Sequence, residues 1–168
     1  LHAWRLDADY KDAKIGVSLS IEHLLHKSAF NDLLEQIEMS EVYSQLLVIE
    51  LLESDLTRFN KYLPNMLNKI QSLGVTLVLD SFGSYSGSLN HLFKYDFNYI
   101  KLHPNLVHTF GMSDKYHRLV NAIITIANKI GIGVIADGID DEMILHELNE
   151  IGCNFGQGSY ISLAKPLK

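Results

Sequence analysis

Three acids and one lysine each close an apolar run in this chain. Leu47-Val48-Ile49 ends in Glu50, Val75-Thr76-Leu77-Val78-Leu79 in Asp80, Val134-Ile135-Ala136 in Asp137, and Tyr99-Ile100 in Lys101. Short aliphatic and β-branched runs of this kind read as buried parallel strands, each delivering a polar group to its C-terminal end. In an α/β barrel those ends form the rim where chemistry is done, and carboxylates gathered there are what hard divalent cations require. Four such ends in one chain are the main functional signal.

The segments between them must position that rim. Lys14 to Ser20 reads as a first strand. Ser28 then caps a helix carrying Phe30, Leu33, Leu34 and Ile37 at a 3.6-residue period. The second strand runs from Leu46 to Leu51. Asn60 opens a helix with Pro64 in its first turn and Leu63, Met66, Leu67 and Ile70 facing inward, and Gly74 ends it. The third strand delivers Asp80. Gly83-Ser84-Tyr85-Ser86-Gly87-Ser88 follows as a loop able to serve as a lid or contact surface, with Tyr85, Ser86 and Gly87 as the expected partner contacts.

A short helix through Leu89, Leu92 and Phe93 leads to a fourth strand, Phe97 to Leu102. Ser113 caps the most regular helix, whose stripe of Tyr116, Leu119, Val120, Ile123, Ile124, Ala127 and Ile130 reads as core. Ile132 to Asp137 is the fifth strand. Asp140 caps a helix bearing Ile144, Leu148 and Ile151, and Phe155 to Ile161 is the sixth strand. Six strands alternating with helices imply a parallel sheet with right-handed crossovers. If the fold is a barrel short of its first two strands, residues 15–20 and 155–161 present open edges that favour homodimers.

Composition narrows the class further. With 47% hydrophobic residues the chain can build a substantial core as a single domain over 1–168. Net charge is −6 and the 14 Lys and Arg are scattered, which argues against direct nucleic-acid binding. Cys153 is the only cysteine and reads as a buried structural thiol in a reducing compartment. No apolar run approaches the ~20 residues that span a bilayer. His23 and His26 form an i,i+3 pair read as solvated, and Glu53, Asp140 and Asp141 read as surface or capping acids.

Val17-Ser18-Leu19-Ser20, Ile49-Glu50-Leu51-Leu52-Glu53, Asp80-Ser81-Phe82-Gly83, Ile100-Lys101-Leu102-His103, Ala136-Asp137-Gly138-Ile139-Asp140 and Gly156-Gln157-Gly158 resemble, in order and spacing, the motif series of EAL domains, the cyclic di-GMP phosphodiesterases. The resemblance covers nearly the whole chain. It implies a modified (β/α) TIM barrel whose first two strands precede Leu1, and, in active members, two Mg2+ or Mn2+ ions that activate water. Glu50 and Asp80 match metal-binding acids, Lys101 the lysine that orients or deprotonates that water, and Gln157 a site glutamine.

Other positions depart from the pattern. Ser18 replaces a ligand asparagine, Ser81 the second aspartate of Asp-Asp-Phe-Gly, and His103 the aspartate after the lysine. Asp137 and Asp140 replace glutamates, each withdrawing its carboxylate by about one C–C bond, ~1.5 Å. Two ions bring four positive charges against three negative ones on Glu50, Asp80 and Asp137. The expectation is a catalytically silent domain with no cofactor, in which Glu50, Asp80, Asp137 and Asp140 are vestigial metal positions and Lys101 and Gln157 vestigial catalytic ones. In that setting Lys101 pairs with Glu50 or Asp80 and His103 is a positioned rim residue. A weak phosphodiesterase and a non-hydrolysing cyclic di-GMP receptor are the alternatives.

Lys101-Leu102-His103-Pro104-Asn105-Leu106-Val107 resembles in particular a tract of the CsrD/MshH group of degenerate GGDEF-EAL proteins. That resemblance implies a regulator acting by protein contact on the cytoplasmic side of an inner-membrane-anchored protein. Its implied partners are the glucose-specific phosphotransferase protein EIIA or RNase E, with links to Csr small-RNA turnover and MSHA pilus biogenesis.

Overall fold

Six parallel strands alternate with helices and follow chain order in one sheet. The structure is a computed structural model describing residues 13–40, 44–57, 61–84 and 89–163. The chain forms two compact units, one of residues 1–78 with 89–97, the other of residues 79–88 with 98–168.

In the first unit β1 (Ile15–Ser18) pairs in parallel with β2 (Leu47–Leu52), Ser18 lying opposite Glu50. The first strand is shorter than its sequence suggests because Ser20 caps a separate helix, α1 (Ile21–Leu25), its hydroxyl accepting from the His23 N–H at 3.2 Å. Helix α2 (Lys27–Met39) starts one residue before Ser28, the expected cap, and the Ser28 hydroxyl contacts His26 Nδ1 instead. Its apolar face is as expected, with Phe30, Leu34 and Ile37 buried. A 3-10 turn, Glu53–Thr57, follows β2, and Glu53 is only 1% exposed, which corrects its reading as a surface acid.

Helix α3 (Leu63–Ser72) has Pro64 in its first turn, and Leu63, Leu67 and Ile70 are buried. Asn60, expected to open it, lies outside the described residues. Strand β3 (Thr76–Phe82) runs on past Asp80 and passes into the second unit after Val78. Helix α4 (Asn90–Lys94) belongs to the first unit. It buries Leu92 but leaves Phe93 69% exposed.

In the second unit β4 (Tyr99–Leu102), β5 (Gly133–Asp137) and β6 (Phe155–Gln157) form parallel pairs with Ile100 opposite Val134 and Asp137 opposite Gln157. A helix absent from the expected series, α5 (Pro104–Phe110), opens directly after β4, with Pro104 in its first turn and His103 Nδ1 accepting from the Asn105 N–H at 3.1 Å. Helix α6 (Asp114–Lys129) buries Val120, Ile124 and Ala127. Tyr116, Leu119 and Ile130 of its expected core stripe are exposed, so its apolar arc is wider than the face it buries. Ser113 stands at its N-cap position without a side-chain cap bond.

Helix α7 (Glu142–Glu150) is capped by Asp141, whose Oδ1 accepts from the Ile144 N–H at 2.9 Å, and not by Asp140. Strand β6 ends at Gln157 instead of Ile161, because Ser159–Ile161 form a turn. Cys153 is partly buried, with its thiol 3.4 Å from the Phe155 carbonyl oxygen, and burial pushes its pKa up. Among the described residues no helix is long and apolar enough to cross a membrane.

Candidate functional site

The first unit brings together Ser18 and Glu50. They are register partners at adjacent strand positions, and the Leu19 N–H donates to the Glu50 carbonyl at 3.0 Å. Ser18 is exposed and Glu50 half-buried, so both side chains are accessible where β1 ends.

The second unit holds Asp80, Lys101, Asp137 and Gln157 on β3, β4, β5 and β6 in turn. Lys101 is 7% exposed, and its Nζ lies 4.0 Å from Asp80 Oδ1. The same oxygen accepts the Ser81 N–H at 2.7 Å. That bond accompanies an unusual backbone, since Ser81 has φ of +59°, the left-handed region that non-glycine residues seldom occupy. Such strain persists where surrounding structure over-determines it, characteristically at sites. The His103 N–H donates to the Phe82 carbonyl at 3.0 Å, tying the ends of β3 and β4 together. His103 thus acts as a rim residue and helix cap.

Asp137 is half-buried and Gln157 exposed, and they face each other in register. Asp140 lies off this row. Its Oδ1 accepts from the Ser159 hydroxyl at 2.8 Å and its Oδ2 lies 3.1 Å from His108 Nε2. Neither His108 nor Ser159 was marked by sequence reasoning. Ser159 lies 19 residues from Asp140 and His108 lies farther away in the chain, and no spacing signals them. Tyr85, Ser86 and Gly87 lie outside the described residues.

Asp80 and Asp137 are oxygen donors of the kind Mg2+ or Mn2+ takes. Among the described residues, however, no three Asp, Glu, His or Cys side chains converge on one point. Asp80 Oδ1 is also already held by Ser81 and Lys101. The second unit by itself therefore supplies part of a donor set and not a closed cation cage.

A parallel α/β sheet with an acid, a lysine, an acid and a glutamine on four successive strands defines a rim-site domain of the barrel class. The EAL domain model matches residues 1–164, and the chain belongs to that family. It is 24% identical over 154 residues to Probable cyclic di-GMP phosphodiesterase PdeN of Escherichia coli, covering 92% of this chain and 30% of that protein. Identity is 25% to Cyclic di-GMP phosphodiesterase PdeB of Shewanella oneidensis, over 94% of this chain and 18% of that protein. The chain thus spans less than a third of these relatives. The EAL domain of Mycobacterium smegmatis DcpA has the same fold, with a TM-score of 0.86 at 20% identity over 96% of this chain and 72% of that one.

These relatives correct two expectations. The departures at Ser18, Ser81 and His103 led to a non-enzyme, yet proteins named as phosphodiesterases align across the stretch that holds them. The expectation of no cofactor falls with it, because it followed from the domain being a non-enzyme. That expectation rested on replaced ligands, shortened side chains and a charge count, and ligand reach depends on backbone position as well as on side-chain length.

Proposed function

We propose that this chain carries the rim of an EAL domain that hydrolyses cyclic di-GMP at a reduced rate, within a longer signalling protein. The observation that supports the reading best is the Asp80–Lys101 pair, a nearly buried ammonium facing a carboxylate across adjacent strands at 4.0 Å. An ammonium held this way can orient a water or steady charge on a phosphodiester. The rate is reduced because Ser81 lacks the carboxylate of the family's second aspartate. Its left-handed backbone is one that aspartate tolerates better than most residues, so the missing group can be restored in place.

The test is a turnover assay on the full-length protein with cyclic di-GMP and Mg2+ or Mn2+, following linear pGpG by chromatography. Product should form, disappear in Lys101→Ala and increase about tenfold in Ser81→Asp. Bound nucleotide without product would refute hydrolysis and leave a receptor.

A second output is contact with protein partners in the manner of the CsrD/MshH group, with EIIA or RNase E as the partners and an inner-membrane anchor outside this chain. Support comes from the Lys101–Val107 tract, which folds as a strand end, a histidine cap and a helix start with Asn105 exposed. Co-purification of either partner with the full-length protein, lost on Asn105→Arg, would support this output. Retention of the partner by that variant would move the contact elsewhere.

A further inference from the structure

The segments after β4, β5 and β6 are fastened together by side chains outside the rim row. His108 Nε2 on α5 lies 3.1 Å from Asp140 Oδ2 and 3.1 Å from the Gly138 carbonyl oxygen. Both neighbours accept only, so Nε2 carries the hydrogen and donates between them. Asp140 gives its other oxygen to the Ser159 hydroxyl at 2.8 Å. The Ser159 hydrogen bond and, after it, the nearby His108 ring hold the Asp140 carboxyl below the usual range. One carboxylate thereby bridges the helix after β4 and the turn after β6.

The backbone follows the same path. The N–H groups of Gly138 and Ile139 both donate to the Gln157 carbonyl at 3.0 Å, and the Tyr160 N–H donates to the Ile139 carbonyl at 3.1 Å. The approach is close enough that a Cβ on Gly158 would collide with the Ile139 carbonyl oxygen, and one on Gly138 would lie 3.0 Å from His108 Nε2. Strand β6 has three residues, all exposed, and a strand that short has few ladder bonds to hold its register. His108 and Asp140 are 44% and 53% exposed, and contacts in that setting add little to stability. Their consequence is geometric.

We propose that His108, Asp140 and Ser159 form a latch that fixes Asp137 beside Gln157, with His108 and Ser159 acting as positioning residues for the rim. The assignment of a turnover role rests on the reading of this rim as a cyclic di-GMP site. The latch itself does not.

The experiment combines amide hydrogen exchange and turnover on the full-length protein. His108→Ala and Ser159→Ala should each speed exchange of the Gly138 and Ile139 amides about threefold, the loosening expected when an exposed contact is removed. Exchange at Ile124 and Ala127 in α6 should not change. In the same variants kcat should fall about tenfold with KM unchanged, and His108→Gln, whose amide N–H can reach toward Asp140, should recover most of both. Unchanged exchange at Gly138 and Ile139 in both alanine variants overturns the latch. So does faster exchange with unaltered kcat, since the contact would then fasten the chain without positioning anything. If the unaltered protein makes no pGpG, the proposed function fails and the exchange result alone decides the latch.

Discussion

Removing the Lys101 charge tests the central pair most directly. Two unit charges 4.0 Å apart attract by about 1 kcal/mol in water and about 4 kcal/mol at an effective dielectric constant near 20. The Asp80 side chain is 21% exposed and its Oδ1 keeps the Ser81 N–H, so water and one hydrogen bond already offset part of its charge. Desolvation of the ammonium opposes the attraction further. The net coupling should lie at the lower end, about 1 to 2 kcal/mol. Lys101→Met keeps most of the aliphatic stem and removes the charge, so lost packing contributes little. In urea, with a slope of roughly 1–3 kcal/mol/M, the midpoint should drop by about 0.5 to 1 M. A cycle of Lys101→Met, Asp80→Asn and the double variant, read by circular dichroism, isolates the pair. Coupling below about 0.3 kcal/mol, with both single variants as stable as the unaltered protein, would refute the idea that this contact organises the rim.

Three further outcomes follow from the same geometry. Asp141→Ala removes the side-chain bond that caps α7 and should cost about 1 kcal/mol in urea unfolding, whereas Asp140→Ala should cost much less, reversing the roles their sequence positions suggest. Burial, and secondly the neighbouring Lys94 charge, hold the His91 pKa below its ordinary value. The unfolded chain then takes up a proton before the folded one does, so stability contributed by His91 is complete above pH 6.5 and declines as pH falls below it. His91→Asn should flatten that decline in thermal melts between pH 7 and 5, and an unchanged slope would assign it to other groups. Burial raises the Cys153 thiol, so alkylation by iodoacetamide at pH 8 should run at least about tenfold slower than in unfolded protein, and equal rates would contradict that environment.

The runs ending in Glu50, Asp80, Lys101 and Asp137 could be read as strands from the chain alone. A strand buried in a parallel sheet must be apolar on both faces, and that leaves a continuous signal in a few consecutive residues. Helix α6 was equally plain in its period but not in its burial. Its apolar arc is wider than the face packed inside, and periodicity cannot say which part of an arc a neighbour covers. Helix α5 was missed although Pro104 follows a capping residue, because Gly111 ends it after seven residues, too short for a period to emerge.

The sequence by itself determined the alternation of strands with helices, the family motifs and the strand ends that carry Asp80, Lys101 and Asp137, since all of these are written in consecutive residues. Only the tertiary structure decided that Ser81 sits in a left-handed backbone, that Asp141 and not Asp140 caps α7, and that Asp140 joins His108 to Ser159. The first two are local in sequence, but adjacent residues offer the same signal and only the folded backbone chooses between them, whereas the Asp140 contacts join groups far apart in the chain. Hydrogen bonds and close packing act through space, and nothing in a local pattern records the partner at the other end.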